Sequence, residues 1–168
     1  MKTRDIVSCG MLIGVAMLAG YIEQTFPINM AVPGIKLGLA NSATIIALSV
    51  LGKKEAILIT ELRIILTTFM FGKLFAMIFS ITGSVLSLLV MLLLKKTNKF
   101  SNVGISVSGA VMHNVGQIIA AALLLHTKAI IYYLPVLFLS GIIAGIIIGI
   151  ISQIIIDRVN VFQNRSSE

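Results

Sequence analysis

Residues 74–96 read LFAMIFSITGSVLSLLVMLLLKK, a run without a charged side chain until Lys95 and Lys96 close it. About 20 apolar residues in helical form span the roughly 30 Å hydrocarbon layer of a bilayer, so this stretch predicts a transmembrane helix stopped by lysines at a membrane surface. The rest of the chain has the same character. Of its 168 residues 58% are hydrophobic and 11% are charged, which places it outside the soluble globular class.

Working outward from that segment, the pattern predicts six helices in one membrane domain. Their approximate spans are 6–22, 37–51, 56–71, 74–94, 103–125 and 134–156, with 157–168 a polar tail. Lys2 and Arg4 before the first apolar run resemble the start of a signal peptide. No convincing cleavage pair ends that run and more spans follow, so a retained first helix is expected. Pro135 suits a helix start, where its missing N–H costs nothing. The second and third spans are short; about 15 helical residues reach only some 22 Å. Joined by a tight turn at Gly52, Lys53, Lys54 and Glu55, they predict a recess at their far ends.

Basic residues set the orientation. Lys2, Arg4, Lys53, Lys54, Lys95, Lys96, Lys99, Arg158 and Arg165 fall on one side; Lys36, Lys73 and Lys128 fall on the other. By the positive-inside rule both termini are cytoplasmic. The net charge of +7 is distributed in pairs between apolar runs, not along one face, and so predicts no nucleic-acid partner. Residues 33–41, PGIKLGLAN, then face outward, where Pro33, Gly34 and Gly38 supply a loop-breaking start and close backbone approach. Lys36 is a cation at a helix N-terminus, which already carries positive dipole character; an anionic or electron-rich ligand there, or lipid headgroups, would account for it.

Polar residues inside the spans mark the candidate site. Glu61 and Arg63 lie in the third span, where an ionisable group costs at least about 2.5–3.5 kcal/mol at the helix centre. Two positions apart they point away from each other, so each needs its own partner: a basic neighbour near the cytoplasmic surface for Glu61, and a ligand or a buried structural pair for Arg63. On the fifth helix Ser106, Gly109, His113 and Gln117 share a stripe, with Asn114 and Gly116 alongside. Such a stripe faces the bundle interior and serves either a ligand or other helices. His126 belongs to an outer loop. One interior histidine without a converging carboxylate or thiol is a poor metal site, and Cys9 is the single cysteine. On the first helix Gly10 and Gly14 form a small-xxx-small pair, suited to packing within the chain or against another subunit.

Catalysis is not indicated. Asp5 and Asp157 are the only aspartates, so no Asp-rich motif holds Mg²⁺ against a diphosphate, and neither a nucleophile elbow nor a phosphate-binding loop is present. The expectation is a protein without catalytic residues, metal or cofactor.

Residues 33–41, residues 109–117 (GAVMHNVGQ), and residues 134–137 (LPVL) with Ser140 and Gly141 resemble a bacterial family called Gx transporters, also labelled heptaprenyl diphosphate synthase component I. The likeness covers about residues 4–156. That family in turn looks like the substrate-binding S components of energy-coupling factor (ECF) transporters. The resemblance implies an all-α bundle of six transmembrane helices in a bacterial cytoplasmic membrane. It implies an outward-facing site for a vitamin- or cofactor-like molecule, with a transmembrane coupling protein and ATPase subunits as partners. By it Pro33, Gly34 and Gly38 become the lid; Lys36, Asn41, Arg63, His113, Asn114 and Gln117 become the substrate-binding residues; Gly10 and Gly14 become the docking surface. The prenyl-synthase label implies an alternative, a non-catalytic membrane accessory in prenyl diphosphate or quinone metabolism; relatives are also associated with extracellular electron transfer.

Overall fold

The computed structural model describes residues 3–25, 41–71, 74–126 and 128–165. Residues 33–40, with the expected lid at Pro33, Gly34 and Gly38 and with Lys36, lie outside the described residues. Every described element is helical: α1 (Thr3–Thr25), α2 (Asn41–Val50), α3 (Lys53–Phe71), α4 (Leu74–Thr97), α5 (Asn102–Leu125), a 3₁₀ segment (Lys128–Tyr133) and α6 (Leu134–Arg165).

Local chemistry explains the boundaries. Gly52 at φ +127° takes a backbone conformation that L side chains rarely adopt, and its carbonyl accepts from Ala56 N at 3.1 Å, so the reversal between α2 and α3 needs only Leu51 and Gly52. The four-residue turn expected at 52–55 is therefore shorter, and Lys53–Glu55 form the first turn of α3, where Glu55 suits the positive helix end. α3 accordingly has 19 residues, about 28 Å, and is not short; α2, with 10, is about 15 Å long. Ser101 caps α5 by accepting from Gly104 N at 3.2 Å, and His126, exposed and left-handed at φ 47°, ends it. Pro135 is the second residue of α6, which then runs to Arg165, beyond the expected end at 156 and through most of the expected polar tail.

The chain is inverted relative to a soluble protein. Along α6 the isoleucines at 142, 143, 146, 147, 150, 151, 154 and 155 are exposed, while Gly141, Ala144, Gly145, Ile148, Gly149, Ser152 and Ile156 are buried. Phe69 at 90% and Leu123 at 69% exposure extend that apolar surface to α3 and α5. In water such a surface would be an aggregation site; in lipid it is the solvent-matched one. Three helical segments, Met77–Thr97, Asn102–Leu125 and Ile130–Val161, are long and apolar enough to cross a bilayer. The protein is a helical membrane protein.

α5 is the centre of the bundle, packed along its length between α4 and α6. Glycine permits that contact. A Cβ on Gly145 would sit 2.6 Å from Val107 Cα, and one on Gly149 would sit 2.8 Å from Val103 Cα; Gly141 meets Val111 one turn further along. Three glycines four apart thus match three valines four apart on an antiparallel neighbour. Across α4, a Cβ on Gly116 would meet the Thr82 carbonyl at 2.7 Å, and one on Gly83 would meet the His113 carbonyl at 2.8 Å. α2 packs on α3 and α6, and α1 lies at the margin against α3 and α2. Gly10 and Gly14 are exposed, with nothing within 4 Å of where a Cβ would sit, so this pair does no packing among the described residues.

Substitutions separate the two kinds of glycine. Gly145→Val drives a branched side chain into Val107 and is expected to cost at least about 1–3 kcal/mol. Gly10→Leu enters open space and is expected to leave thermal melting of the purified protein unchanged.

Candidate functional site

The polar groups of the described bundle form two sets at different depths. One closes the end where α2, α4 and α6 finish and α3 and α5 begin. There Lys95 Nζ donates to Asn102 Oδ1 at 3.0 Å and to Ser49 Oγ at 3.2 Å, and Ser49 donates in turn to Asn102 Oδ1 at 3.2 Å. Asn102 Nδ2 donates to Gln153 Oε1 at 2.8 Å, and Gln153 Nε2 donates to Asp157 Oδ1 at 2.7 Å. Two aligned amides thus connect a cation on α4 with a carboxylate on α6. The sequence signal for this set was present but diffuse: one polar residue near the end of each of several helices, unrelated in sequence spacing.

The second set lies deeper. From Ser49 to Asn41 is eight residues of α2, about 12 Å of rise; from Asn102 to His113 is eleven residues of α5, about 16 Å; from Lys53 to Arg63 is ten residues of α3, about 15 Å. Counted along their helices, these three residues, far apart in sequence, lie at similar distances from that end. Arg63 Nη2 donates to Asn41 Oδ1 at 3.4 Å, and Asn41 is buried at 6% exposure with no partner for its Nδ2 among the described residues. Beneath them Thr44 and Thr60 share a 2.9 Å hydrogen bond. Thr60 donates its proton to the Ala56 carbonyl at 2.8 Å, which makes Thr44 the donor between the two threonines.

On α5 the predicted stripe is interior: Ser106, Gly109, His113 and Gln117 are all buried. Gly109 lies against the Met91 side chain and His113 against Gly83, so α4 forms one wall of the stripe. Gln117 Nε2 and His113 Nε2 are 3.2 Å apart. With the amide N–H₂ as donor, imidazole Nε2 accepts and Nδ1 holds the ring proton. Gln117 Oε1 is then a buried acceptor without a partner among the described residues. Asn114 points to another task. Its Nδ2 donates to the Leu137 carbonyl at 2.8 Å, which pins α5 to the first turn of α6. Glu61 is half-buried on α3 and takes no part in the bonds joining α3 to α2.

The second set offers hydrogen bonds and one fixed positive charge, which suits binding more readily than bond-making. Among the described residues no three of His, Cys, Asp and Glu gather as metal ligands do. A family model described as heptaprenyl diphosphate synthase component I matches residues 12–155. The chain belongs to that family. No curated protein and no solved structure matches it. In this member of the component I family the described aspartate side chain, Asp157, is exposed near the end of α6 and bonded to Gln153, at the opposite end of the hydrogen-bonded chain from Lys95.

Scaffold and site roles are separable by melting read together with ligand retention. Asn114→Leu removes a made bond to α6 and is expected to lower stability by about 1–3 kcal/mol. Gln117→Met removes the buried donor to His113 Nε2 together with the unpartnered acceptor, and is expected to lower stability by about 1–3 kcal/mol while weakening retention of any small molecule bound in the interior.

Proposed function

We propose that this component I family member is the substrate-binding membrane subunit of an ECF-like uptake transporter, taking a small vitamin- or cofactor-like molecule and energised by partner ATPases. The observation that carries this reading is the set of interior polar side chains Asn41, His113 and Gln117, all buried, with half-buried Arg63 bonded to Asn41, in a bundle whose outside is almost wholly apolar. Such groups are expensive in a membrane and are kept where a ligand or a pathway uses them. In this reading six helices cross a bacterial cytoplasmic membrane with both termini inside, the Lys95–Asp157 chain marks the cytoplasmic end, and the lid is assigned to Pro33, Gly34 and Gly38, which with Lys36 lie outside the described residues. The subunit is non-catalytic and has no cofactor of its own. Transport energy then comes from elsewhere, since the sequence has no phosphate-binding loop.

Gly10 and Gly14 supply the docking face. They lie on α1 among exposed Val7, Met11, Val15 and Leu18, where a second helix can approach the backbone closely. The family's description favours a second reading, a membrane accessory to prenyl diphosphate or quinone metabolism. That reading predicts association with a soluble prenyltransferase, and product chain lengths that change when this subunit is deleted.

Co-expression with a transmembrane coupling protein and its two ATPases tests the first reading. The complex is expected to co-purify, and Gly10→Leu with Gly14→Leu is expected to abolish both association and uptake without altering the fold of the isolated subunit. Absence of any complex with the unaltered chain, together with uptake indifferent to the double substitution, would contradict it.

A further inference from the structure

Basic side chains of the described bundle gather at one end. The Lys95–Asp157 chain of hydrogen bonds ties the last turns of α2, α4 and α6 to the start of α5, and α3 begins directly after Leu51 and Gly52. Lys53, Lys54, Lys95, Lys96, Lys99 and Arg158 therefore stand around one rim, alongside Glu55 and Asp157. Lys95 is committed to Ser49 and Asn102. Lys53, Lys54, Lys96, Lys99 and Arg158 are exposed, and none of them makes an ion pair among the described residues.

Several of these cations also head an apolar stripe on their own helix. Residues three or four apart share a helix face. By that spacing Lys53 stands over Ile57 and Lys54 over Leu58 on α3, Lys96 over Leu93 and Leu89 on α4, and Arg158 over Ile154 on α6; all of these apolar side chains are exposed. An acidic partner in water can meet such cations but not the stripes, which in a bilayer face hydrocarbon. A phospholipid meets both, with its phosphate at the cation and its chain along the stripe.

We propose that this rim binds anionic phospholipid, with Lys53, Lys54 and Lys96 holding the headgroup phosphate and the stripes on α3 and α4 receiving the acyl chains. α3 begins at the end where α4 finishes, and the two helices pack against each other, so the three lysines stand at the same end of one helix pair. Lipid binding here is independent of any ligand held in the interior.

The test uses the full chain, delipidated in a non-ionic detergent and titrated with equimolar phosphatidylglycerol and phosphatidylcholine of identical acyl chains, with adducts read by native mass spectrometry. Phosphatidylglycerol adducts are expected to exceed phosphatidylcholine adducts about fivefold or more, the scale of one cation beside an anionic headgroup. Changing Lys53→Gln, Lys54→Gln and Lys96→Gln together is expected to bring the two lipids to parity. Changing the same three lysines to arginine is expected to keep the excess. Both variants are expected to melt as the unaltered chain does, because the three side chains are exposed and make no ion pair among the described residues. Glycerol 3-phosphate, a headgroup phosphate without chains, and poly-glutamate are each expected to leave the phosphatidylglycerol adducts in place. Equal adducts of the two lipids, or an excess that survives the glutamine variant, would overturn the proposal. Displacement by glycerol 3-phosphate would overturn it in favour of a soluble phosphate, and displacement by poly-glutamate in favour of an acidic protein.

Discussion

The close approach of α5 to α6 and α4 is the constraint on which the rest of the bundle depends. Lipid tails are as apolar as leucine, so helices in a bilayer gain little by burying leucine against leucine; they gain by backbone proximity and by hydrogen bonds unavailable in lipid. Gly141, Gly145 and Gly149 bring the α6 backbone onto Val111, Val107 and Val103, and Gly83 and Gly116 do the same between α4 and α5. The isoleucines of α6 are thereby left to the lipid, and α5, held on two sides, carries its polar stripe inward. His113 and Gln117 are interior because these glycines let their neighbours come close.

Polar groups then divide by depth and by task. At one end, Lys95, Ser49, Asn102, Gln153 and Asp157 satisfy one another across four helices and fix their relative positions. Asn114 is consumed in tying α5 to α6. Further from that end, Asn41 and Gln117 each retain an unspent polar atom among the described residues. Buried polar groups are ordinarily satisfied; Ser84 and Ser152 Oγ are likewise without a partner among the described residues, and the proposed reading assigns the unspent atoms of Asn41 and Gln117 to a ligand.

Much of this was legible from sequence because it rests on periodicity. Apolar runs closed by lysines gave the helices, and spacings of three and four gave the α5 stripe that the structure buries. Gly52 was legible as a turn, though not that Leu51 and Gly52 alone would suffice, because the φ +127° conformation removes the need for a longer loop. The small-residue pair Gly10 and Gly14 has the spacing of a close helix contact, whereas Gly141, Gly145 and Gly149, with the same spacing repeated, do the packing within the chain. Spacing identifies a surface where backbones can approach, but which neighbour arrives is decided by the three-dimensional arrangement. The Lys95 to Asp157 chain was illegible for a related reason: its members come from four helices and share no sequence period. The pairing of Arg63 with Asn41 likewise needed α2 and α3 placed side by side.

Native mass spectrometry of the chain released from nanodiscs after purification from its own membranes bears most directly on the claim that the interior holds a small ligand. The account predicts a discrete adduct of small-molecule mass, distinct from phospholipid, that persists through lipid removal and is exchanged by excess of the same molecule. A spectrum showing the bare chain and lipid adducts alone, before and after incubation with a small-molecule extract of the same cells, would contradict it.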